Sequence, residues 1–459
     1  MRYPMGMSPS SRSQFIAEMR HVFKLALPIT FVQLSYHSIG FVDTVLAGRS
    51  DPLTLGAVGL GNIIFFSVAV FGIGLMLGMD AIVARAMGTG DHARAMGMAA
   101  QSFYLGIFAG IGTTVFLLLV MALFPLFGVV PELIPGTRVY IASRLVGIIP
   151  MFWSVSLRSY LQGREITTPV IHAAIAVNVF NFVADWVLLF GDEGLREWGL
   201  PGIGLQGMGP AGLGWASSAS SIFLAAWLLH GTVRHAPREH LSLRWQPKLL
   251  RELWWQGLPV GIQLCGEVSF FALMGLMVSH MGVMEAGAHA AAANVGGLSF
   301  ALAVGAGSAG AIRVGNAMGR GRLDLARAAG VSAMLLGCSA MFVVAIFMWV
   351  MPHRVAGWIV ADPQVIKLTA HLLIISGFFQ VFDGMQGVLA GVLRGMGQTK
   401  AALVRYICGL WGVGFPLAWL FGIVLDGGAM GVWLGITAGL VAAAVLLCQR
   451  FLLLTQKSH

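Results

Sequence analysis

The stretch VFDGMQGVLAGVLRGMGQTK, residues 381–400, carries the two features that decide the fold of this chain. It continues an apolar run in which Asp383 is the single carboxylate, and it ends in a motif that also occurs in the first half of the chain. A helix needs about 20 apolar residues to cross a bilayer. The stretch therefore predicts a membrane-spanning helix with a buried acid, within a fold that repeats.

The whole chain has the composition of a polytopic membrane protein. Of its 459 residues, 57% are hydrophobic and only 10% are charged, whereas a soluble domain has about 25% charged residues. Apolar windows of spanning length predict twelve transmembrane helices. We expect them near residues 22–46, 54–84, 97–124, 138–162, 167–190, 211–233, 255–281, 287–315, 328–351, 366–392, 402–424 and 429–453.

The second half of the chain repeats the first at an offset of about 231 residues. The motif AMGTG at 86–90 recurs as AMGRG at 317–321, and LQGREITT from Leu161 recurs as LRGMGQTK from Leu393. Each copy contains six spans, an even number, so both halves cross the membrane in the same direction. The sequence thus predicts an all-α integral membrane protein with two six-helix lobes related by a parallel internal repeat, and a binding site between the lobes.

The distribution of charge predicts the domain limits and the orientation. The most charged stretch lies between the two copies of the repeat. The expected segments are a cytosolic N-terminal segment 1–21, an N-terminal lobe 22–233, a cytosolic linker 234–254, a C-terminal lobe 255–453 and a cytosolic tail 454–459. With both termini in the cytosol, 22 of the 28 Lys and Arg residues fall on the cytosolic side of the cell membrane, as the positive-inside rule requires. The net charge of +9 is then a topology signal and calls for no nucleic acid.

Apart from Asp80, which lies near the cytosolic end of its span beside Arg85, four carboxylates lie inside predicted spans: Asp43, Asp185, Glu267 and Asp383. An acidic side chain at the bilayer centre costs about 2.5–3.5 kcal/mol, so such groups face a protein interior or a water-filled cavity and commonly bind a cation or carry a proton. None of the four has an acid at the equivalent position of the other half. The fold repeats but the charge does not, which favours a transporter whose two lobes do different work.

These acids form two candidate coupling sites. Glu267 and Asp383 are expected to bind the coupling cation together, and they are the candidate ligands if that cation is Na⁺. Asp43, Asn181 and Asp185 are expected to form a separate protonatable cluster. The alternative is a structural ion pair with a buried base, which is most plausible for Asp43 because Arg49 lies near it in the sequence.

Several uncharged polar side chains in the spans are candidates for lining a substrate cavity: Gln33, Tyr36, Asn178 and Asn294. Asn178, Asn181 and Asp185 occur at i, i+3 and i+7, so they share one face of a helix. The competing interpretation is that these amides and hydroxyls hydrogen-bond across helices and hold the bundle together.

Four segments together resemble the multidrug and toxic compound extrusion (MATE) transporters: FVDTVLAGR at 41–49, EVSFFALMGLMV at 267–278, IRVGNAMGRGR at 312–322 and the stretch at 381–400. Glu267 and Asp383 are similar to acids of the NorM branch that are implicated in cation coupling. Asp43 matches the aspartate of the first span that has a proton-coupling role in the family. Asn181 and Asp185 match an Asn-xxx-Asp motif more typical of the DinF branch.

The resemblance implies export of small organic cations in exchange for H⁺ or Na⁺, with no bound cofactor. No GxxxxGK[ST] phosphate-binding loop occurs, so ATP hydrolysis by this chain is not expected. A lipid-linked oligosaccharide flippase of the same superfamily remains an alternative, although its anionic cargo would favour a basic cavity. A channel or an integral membrane enzyme is a further alternative, but an enzyme would need clustered His or Ser/His chemistry and the twelve histidines are scattered. Nothing in the sequence calls for more than a monomer.

Overall fold

The protein is described here by a computed structural model, which covers residues 9–235 and 243–456. Within these residues the chain is helical almost throughout, and its only β-pairing is an isolated bridge between Gly191 and Gln206. The α-helices are α1 (Pro9–Ser50), α2 (Pro52–Leu77), α3 (Met79–Thr89), α4 (His92–Ala122), α5 (Leu133–Arg144), α6 (Ile148–Gly163), α7 (Thr168–Phe190), α8 (Asp192–Glu197), α9 (Pro210–His235), α10 (Pro247–Ser279), α11 (Val283–Gly319), α12 (Leu323–Val350), α13 (Pro352–Gly357), α14 (Pro363–Gly395), α15 (Thr399–Ile407), α16 (Phe415–Trp419) and α17 (Gly428–Thr455).

Twelve helical segments of the described chain are long and apolar enough to cross a membrane. They coincide with the twelve predicted spans, although several helices are longer than their apolar cores; the first runs over Ser13–Ser50 and the seventh over Pro247–Ser279. The predicted all-α membrane fold is confirmed. It forms because a helix satisfies every backbone hydrogen bond within its own segment, which the bilayer interior requires.

Aspartate side chains cap the starts of two helices, α2 and α14. Asp51 precedes Pro52 at the start of α2, and its carboxylate accepts a hydrogen bond from the backbone N–H of Thr54 at 2.8 Å. Hydrogen bonding from Thr54 holds the pKa of Asp51 below its ordinary value. Asp362 caps α14 in the same way, accepting from the N–H of Gln364 at 2.8 Å. Because Pro lacks an N–H and its φ is fixed near the helical value, it suits the first turn that follows each cap.

Three spans are interrupted rather than uniform. The second is interrupted at Gly78, between α2 and α3, and the fourth contains a 3₁₀ turn at Leu145–Gly147 between α5 and α6. The eleventh contains two π-helical segments, Cys408–Gly414 and Leu420–Val424, on either side of α16. Such interruptions re-aim side chains within a span, and π-helical turns are frequent at functional sites.

The contacts of the chain divide it into two compact units. The N unit consists of residues 34–79 and 92–261, and the C unit consists of residues 1–33, 80–91 and 262–459, in each case as far as the structure describes them. This division differs from the predicted lobes, which were separated at one linker. It differs because α1, the second span and α10 each contribute residues to both units.

The predicted connecting segments are largely helical where they are described. Residues 1–8, 236–242 and 457–459 of these segments lie outside the described residues. The remainder of 1–21 belongs to α1, and the end of the linker, from Pro247, begins α10. Before α10, the chain docks on α4: the Gln101 side chain donates to the carbonyl of Arg244 at 2.9 Å and accepts from the N–H of Gln246 at 3.0 Å.

An ordered hairpin of the N unit connects α7 to α9. The Asp192 carboxylate accepts three backbone hydrogen bonds, from Ile203 at 2.9 Å, from Gly204 at 3.0 Å and from Leu205 at 3.0 Å. These N–H groups, that of Ile203 foremost, hold the pKa of Asp192 below its ordinary value.

Candidate functional site

The N unit contains a buried pair of carboxyl groups contributed by two helices. Asp43 of α1 is 2% exposed and Asp185 of α7 is fully buried. Their carboxyl groups lie within hydrogen-bonding distance of each other. With both ionised, Asp43 Oδ1 and the two oxygens of Asp185 have no hydrogen-bond donor among the described residues. A single proton held between the two groups would therefore supply the missing hydrogen bond.

Two hydroxyl groups complete one side of this pair. Ser217 of α9 donates to Asp43 Oδ2 at 3.1 Å, and the Tyr140 hydroxyl of α5 donates to the same oxygen at 3.5 Å. Close packing of α5 and α9 brings them there: a Cβ on Gly214 would lie 2.6 Å from the carbonyl oxygen of Tyr140. Gly214 thus permits the approach that places Ser217, almost one turn further on, against Asp43.

Arg144 is the basic residue of this site, and the sequence did not predict it. It follows Tyr140 by one helical turn and donates from NH1 to the Tyr140 hydroxyl at 2.9 Å and to Asn62 Oδ1 at 2.8 Å. It is also close enough to both carboxyl groups to interact with them electrostatically. Arg49, the base considered from the sequence, is instead exposed near the end of α1.

The asparagines of α7 occupy the helix face expected from their spacing. Asn181 is buried, and its side-chain nitrogen has no hydrogen-bond acceptor among the described residues. Asn178, expected to line a substrate cavity, donates to the Ser35 hydroxyl of α1 and to the carbonyl of Ala174 at 2.8 Å. The Asn178 amide therefore joins α7 to α1, as the competing interpretation anticipated for such residues.

The C unit contains a second acidic group. Asp383 of α14 is 6% exposed, Glu267 of α10 is half-buried, and the two carboxyl groups are close enough to repel each other. Gln386 donates to Asp383 Oδ1 at 3.2 Å, while its own Oε1 has no partner in the described part of the chain. The Tyr406 hydroxyl lies beside Glu267.

The oxygen atoms around Glu267 and Asp383 suit a hard cation. Two carboxylates, the free Gln386 Oε1 and the Tyr406 hydroxyl are all oxygen ligands of the type that such ions prefer. Tyr406 is fully buried and is the last residue but one of α15, just before the first π-helical segment, which begins at Cys408. Within the described residues, no cluster of three or more His, Cys, Asp or Glu residues could hold a metal ion. The site is therefore an acid pair completed by neutral oxygens.

The other candidates for lining a substrate cavity are Tyr36, Gln33 and Asn294. The Tyr36 ring lies under the guanidinium of Arg158, with 5.3 Å from Arg158 Cζ to the ring centroid. Gln33 is half-buried on α1, and Asn294 is exposed on α11. Their role in lining a substrate cavity stays a prediction.

Sequence reasoning missed Tyr140, Arg144, Ser217, Gln386 and Tyr406. Arg144 offered a usable signal, because it lies inside the predicted span 138–162 and an intramembrane arginine marks a functional site by default. The neutral residues offered none, since a tyrosine, serine or glutamine in a long apolar helix resembles any other helix contact.

The fold and these buried acids define a polytopic membrane transporter rather than an enzyme. The chain belongs to the MATE family: the sequence profile described as MatE matches residues 28–187 and 259–420. The chain is 31% identical over 455 residues to the probable multidrug resistance protein NorM of Brucella suis, covering 96% of this chain and 94% of that protein. It is 30% identical over 453 residues to the multidrug resistance protein PmpM of Pseudomonas aeruginosa, covering 96% and 93%. The crystal structure of a eukaryotic MATE transporter superimposes with a TM-score of 0.85 at 18% identity, covering 96% of each chain.

Proposed function

We propose that this protein is an antiporter of the plasma membrane that exports drugs and other organic cations, driven by inward movement of H⁺ or Na⁺. Membership of the MATE family and the names of the relatives, multidrug resistance proteins, support efflux of such compounds. They also weigh against the flippase alternative. Direct support for cation coupling comes from the chain itself, in the two pairs of acids buried within its spans.

The observation that carries the proposal is the Glu267–Asp383 pair. Two neighbouring carboxylates that repel each other in a membrane-spanning bundle are unfavourable when both are ionised, unless a cation or a proton is bound between them. The same negative charge attracts a positively charged drug. If the drug and the coupling ion compete for these carboxylates, each is released as the other binds, which is the requirement for exchange.

The two acid pairs are proposed to have different roles. Glu267 and Asp383, with Gln386 and Tyr406, would bind the coupling cation directly. Asp43 and Asp185, with Asn181 beside them on α7, would form a protonatable group whose hydrogen bonds to Ser217 and Tyr140 change with its charge. Rearrangement there would favour or oppose bending of α1 near Pro28, where the helix lacks a backbone N–H donor.

The test is transport of a monovalent cationic dye, such as ethidium, by the purified protein in proteoliposomes. A pH gradient is imposed without Na⁺, and a Na⁺ gradient is then imposed at equal pH. At least one gradient is expected to move the dye against its own concentration gradient. If neither gradient does so, the antiporter proposal is wrong.

Site variants measured in the same assay test the proposed role of the C-unit pair. Glu267→Gln and Asp383→Asn are each expected to lower the gradient-driven rate at least about tenfold, equivalent to about 1.4 kcal/mol. The matched control is Glu197→Gln, which removes an exposed carboxylate at the end of α8 and should leave the rate unchanged. A wild-type rate in either site variant would exclude that residue from coupling.

A further inference from the structure

The charges facing the Asp43–Asp185 pair do not balance until one more positive charge is added. The pair brings two negative charges and Arg144 brings one positive charge, all within the N unit. Around them α5 contributes Tyr140, α9 contributes the neutral Ser217, and Asn62 of α2 contacts Arg144. One proton or one monovalent ion makes this group neutral.

Arg144 is positioned to supply a counter-charge from inside the protein. Its guanidinium lies over the face of Phe65, with 4.0 Å from Cζ to the ring centroid, and its NH1 contacts are to neutral oxygens. One of those oxygens, the Tyr140 hydroxyl, is itself 3.5 Å from Asp43 Oδ2. Only one hydroxyl group therefore separates the guanidinium from the carboxylate, and a small side-chain movement would join them.

The groups around the pair are also mostly donors. Tyr140 and Ser217 direct hydroxyl protons to Asp43, Arg144 directs N–H groups toward the same region, and the Asn181 amide nitrogen is buried without an acceptor. A proton between the carboxyl groups fits this arrangement, because it needs only the two oxygens that already lie within hydrogen-bonding distance. A Na⁺ ion needs several acceptor oxygens and is repelled by the guanidinium.

We propose that Arg144 is an internal counter-cation that makes the Asp43–Asp185 pair selective for H⁺ over Na⁺. When the pair is protonated, Arg144 stays with Tyr140 and Asn62. When the proton leaves, Arg144 neutralises one of the two carboxylates and occupies the place that Na⁺ would take. This inference rests on the proposed function and deepens it, because it assigns the coupling ion of one of the two sites.

The experiment is an infrared titration, which does not require transport. The protein carries Glu267→Gln and Asp383→Asn, so that Asp43 and Asp185 are the remaining acids of the two sites. The band of protonated carboxyl groups is followed against pH in choline chloride and in NaCl, and Asp185→Asn identifies the part of the band that belongs to the pair. With Arg144 present, the midpoint is expected to be the same in both salts.

Arg144→Gln is the diagnostic variant. Without the guanidinium, Na⁺ competes with the proton, so the midpoint in NaCl falls below that in choline by about one pH unit per tenfold rise in Na⁺ above its Kd. Arg144→Lys keeps the charge and should stay insensitive to Na⁺. If the midpoint shifts with Na⁺ while Arg144 is present, the proposal is overturned. This comparison uses protein that retains Arg144, so it does not depend on the folding of any Arg144 variant. The proposal is also overturned if the titration midpoint of Arg144→Gln is the same in NaCl and in choline chloride.

The outcome is separate from that of the antiporter test. Failure of both gradients in proteoliposomes would remove the transport proposal and leave the titration readable. Conversely, a Na⁺-sensitive midpoint in the presence of Arg144 would remove the selectivity role and leave antiport intact.

Discussion

Arg313 and Glu18 form an ion pair buried in the C unit. The Arg313 guanidinium donates three hydrogen bonds to the Glu18 carboxylate, from Nη2 to Oε1 at 2.8 Å, from Nη2 to Oε2 at 3.1 Å and from Nε to Oε2 at 3.2 Å. Their side chains are 9% and 11% exposed. Glu18 lies in segment 1–21, which the sequence predicts to be cytosolic, yet the packing of α1 and α11 buries it together with Arg313. A pair of this kind is costly to break, since the remaining charge stays buried without its partner.

Glu18→Gln is therefore expected to destabilise the protein by about 3–5 kcal/mol, because Arg313 loses its counter-charge in a buried position. The measurement is thermal unfolding of the purified protein in detergent. Replacing both residues, as Glu18→Met with Arg313→Met, should recover most of the loss, since no buried charge remains.

The matched control for this prediction is the exposed pair Arg322–Asp324, whose side chains are 48% and 47% exposed. Asp324→Asn should cost no more than about 1 kcal/mol, because water already solvates both charges. Equal effects of Glu18→Gln and Asp324→Asn would show that the buried pair contributes no more than a surface pair.

The repeated motif AMGxG forms a helix crossing within the C unit. The crossing lies between α3, which ends in the first copy, and α11, which ends in the second. A Cβ added to Gly88 would lie 3.0 Å from the Cα of Gly319, and a Cβ added to Gly319 would lie 3.0 Å from the Cα of Gly88. A Cβ on Gly88 would also collide with the backbone carbonyl of Asn316, and a Cβ on Gly319 would collide with that of Arg85. The two copies thus pack on each other as equivalents, with glycine required at the contact.

Gly88→Ala and Gly319→Ala are each expected to force the two helices apart and to lower stability by about 1–3 kcal/mol, the usual cost of overpacking. Thermal unfolding provides the measurement. Gly296→Ala is the control on the same helix α11, since nothing lies within 4 Å of a Cβ at that position. This variant should be at least as stable as the wild type, because alanine has a higher helix propensity than glycine. If Gly88→Ala unfolds at the same temperature as Gly296→Ala, the two helices can separate at this crossing without loss of stability, and the prediction is wrong.

The orientation of the whole molecule in the membrane is a proposal that rests on its charges. With the N-terminus in the cytosol, the hairpin between α7 and α9 faces outward and the connection between α11 and α12 faces the cytosol. Glu197 lies in the first of these segments and Arg320 in the second, and both are exposed. The four native cysteines would be replaced so that single introduced thiols report the topology.

A membrane-impermeant maleimide is expected to label Glu197→Cys in intact spheroplasts, and to label Arg320→Cys only after permeabilisation. The physical reason is the retention of Lys and Arg on the cytosolic side during insertion. The reverse labelling pattern would place both termini outside and contradict the proposed orientation.

The spans, and the presence of acids within them, were determined by the sequence itself. A spanning helix depends on local properties, since an apolar segment of sufficient length satisfies its own backbone in lipid. An acid such as Asp185 or Asp383 stands out against that background because burying it is costly. The internal repeat was equally visible, as the motif at 86–90 and 317–321 shows, whereas the three spans that contribute residues to both compact units are seen only in the structure.

The partners of those acids were decided only by the tertiary structure. Asp43 meets Asp185, Tyr140, Arg144 and Ser217 because four helices turn particular faces toward one another. Which faces meet depends on long-range packing, such as the close approach of Gly214 to the backbone of α5, and no pattern within a single helix encodes it. For the same reason the polarity of Asn178 does not specify its partner on α1, the Ser35 hydroxyl, which only the packing of α7 against α1 supplies.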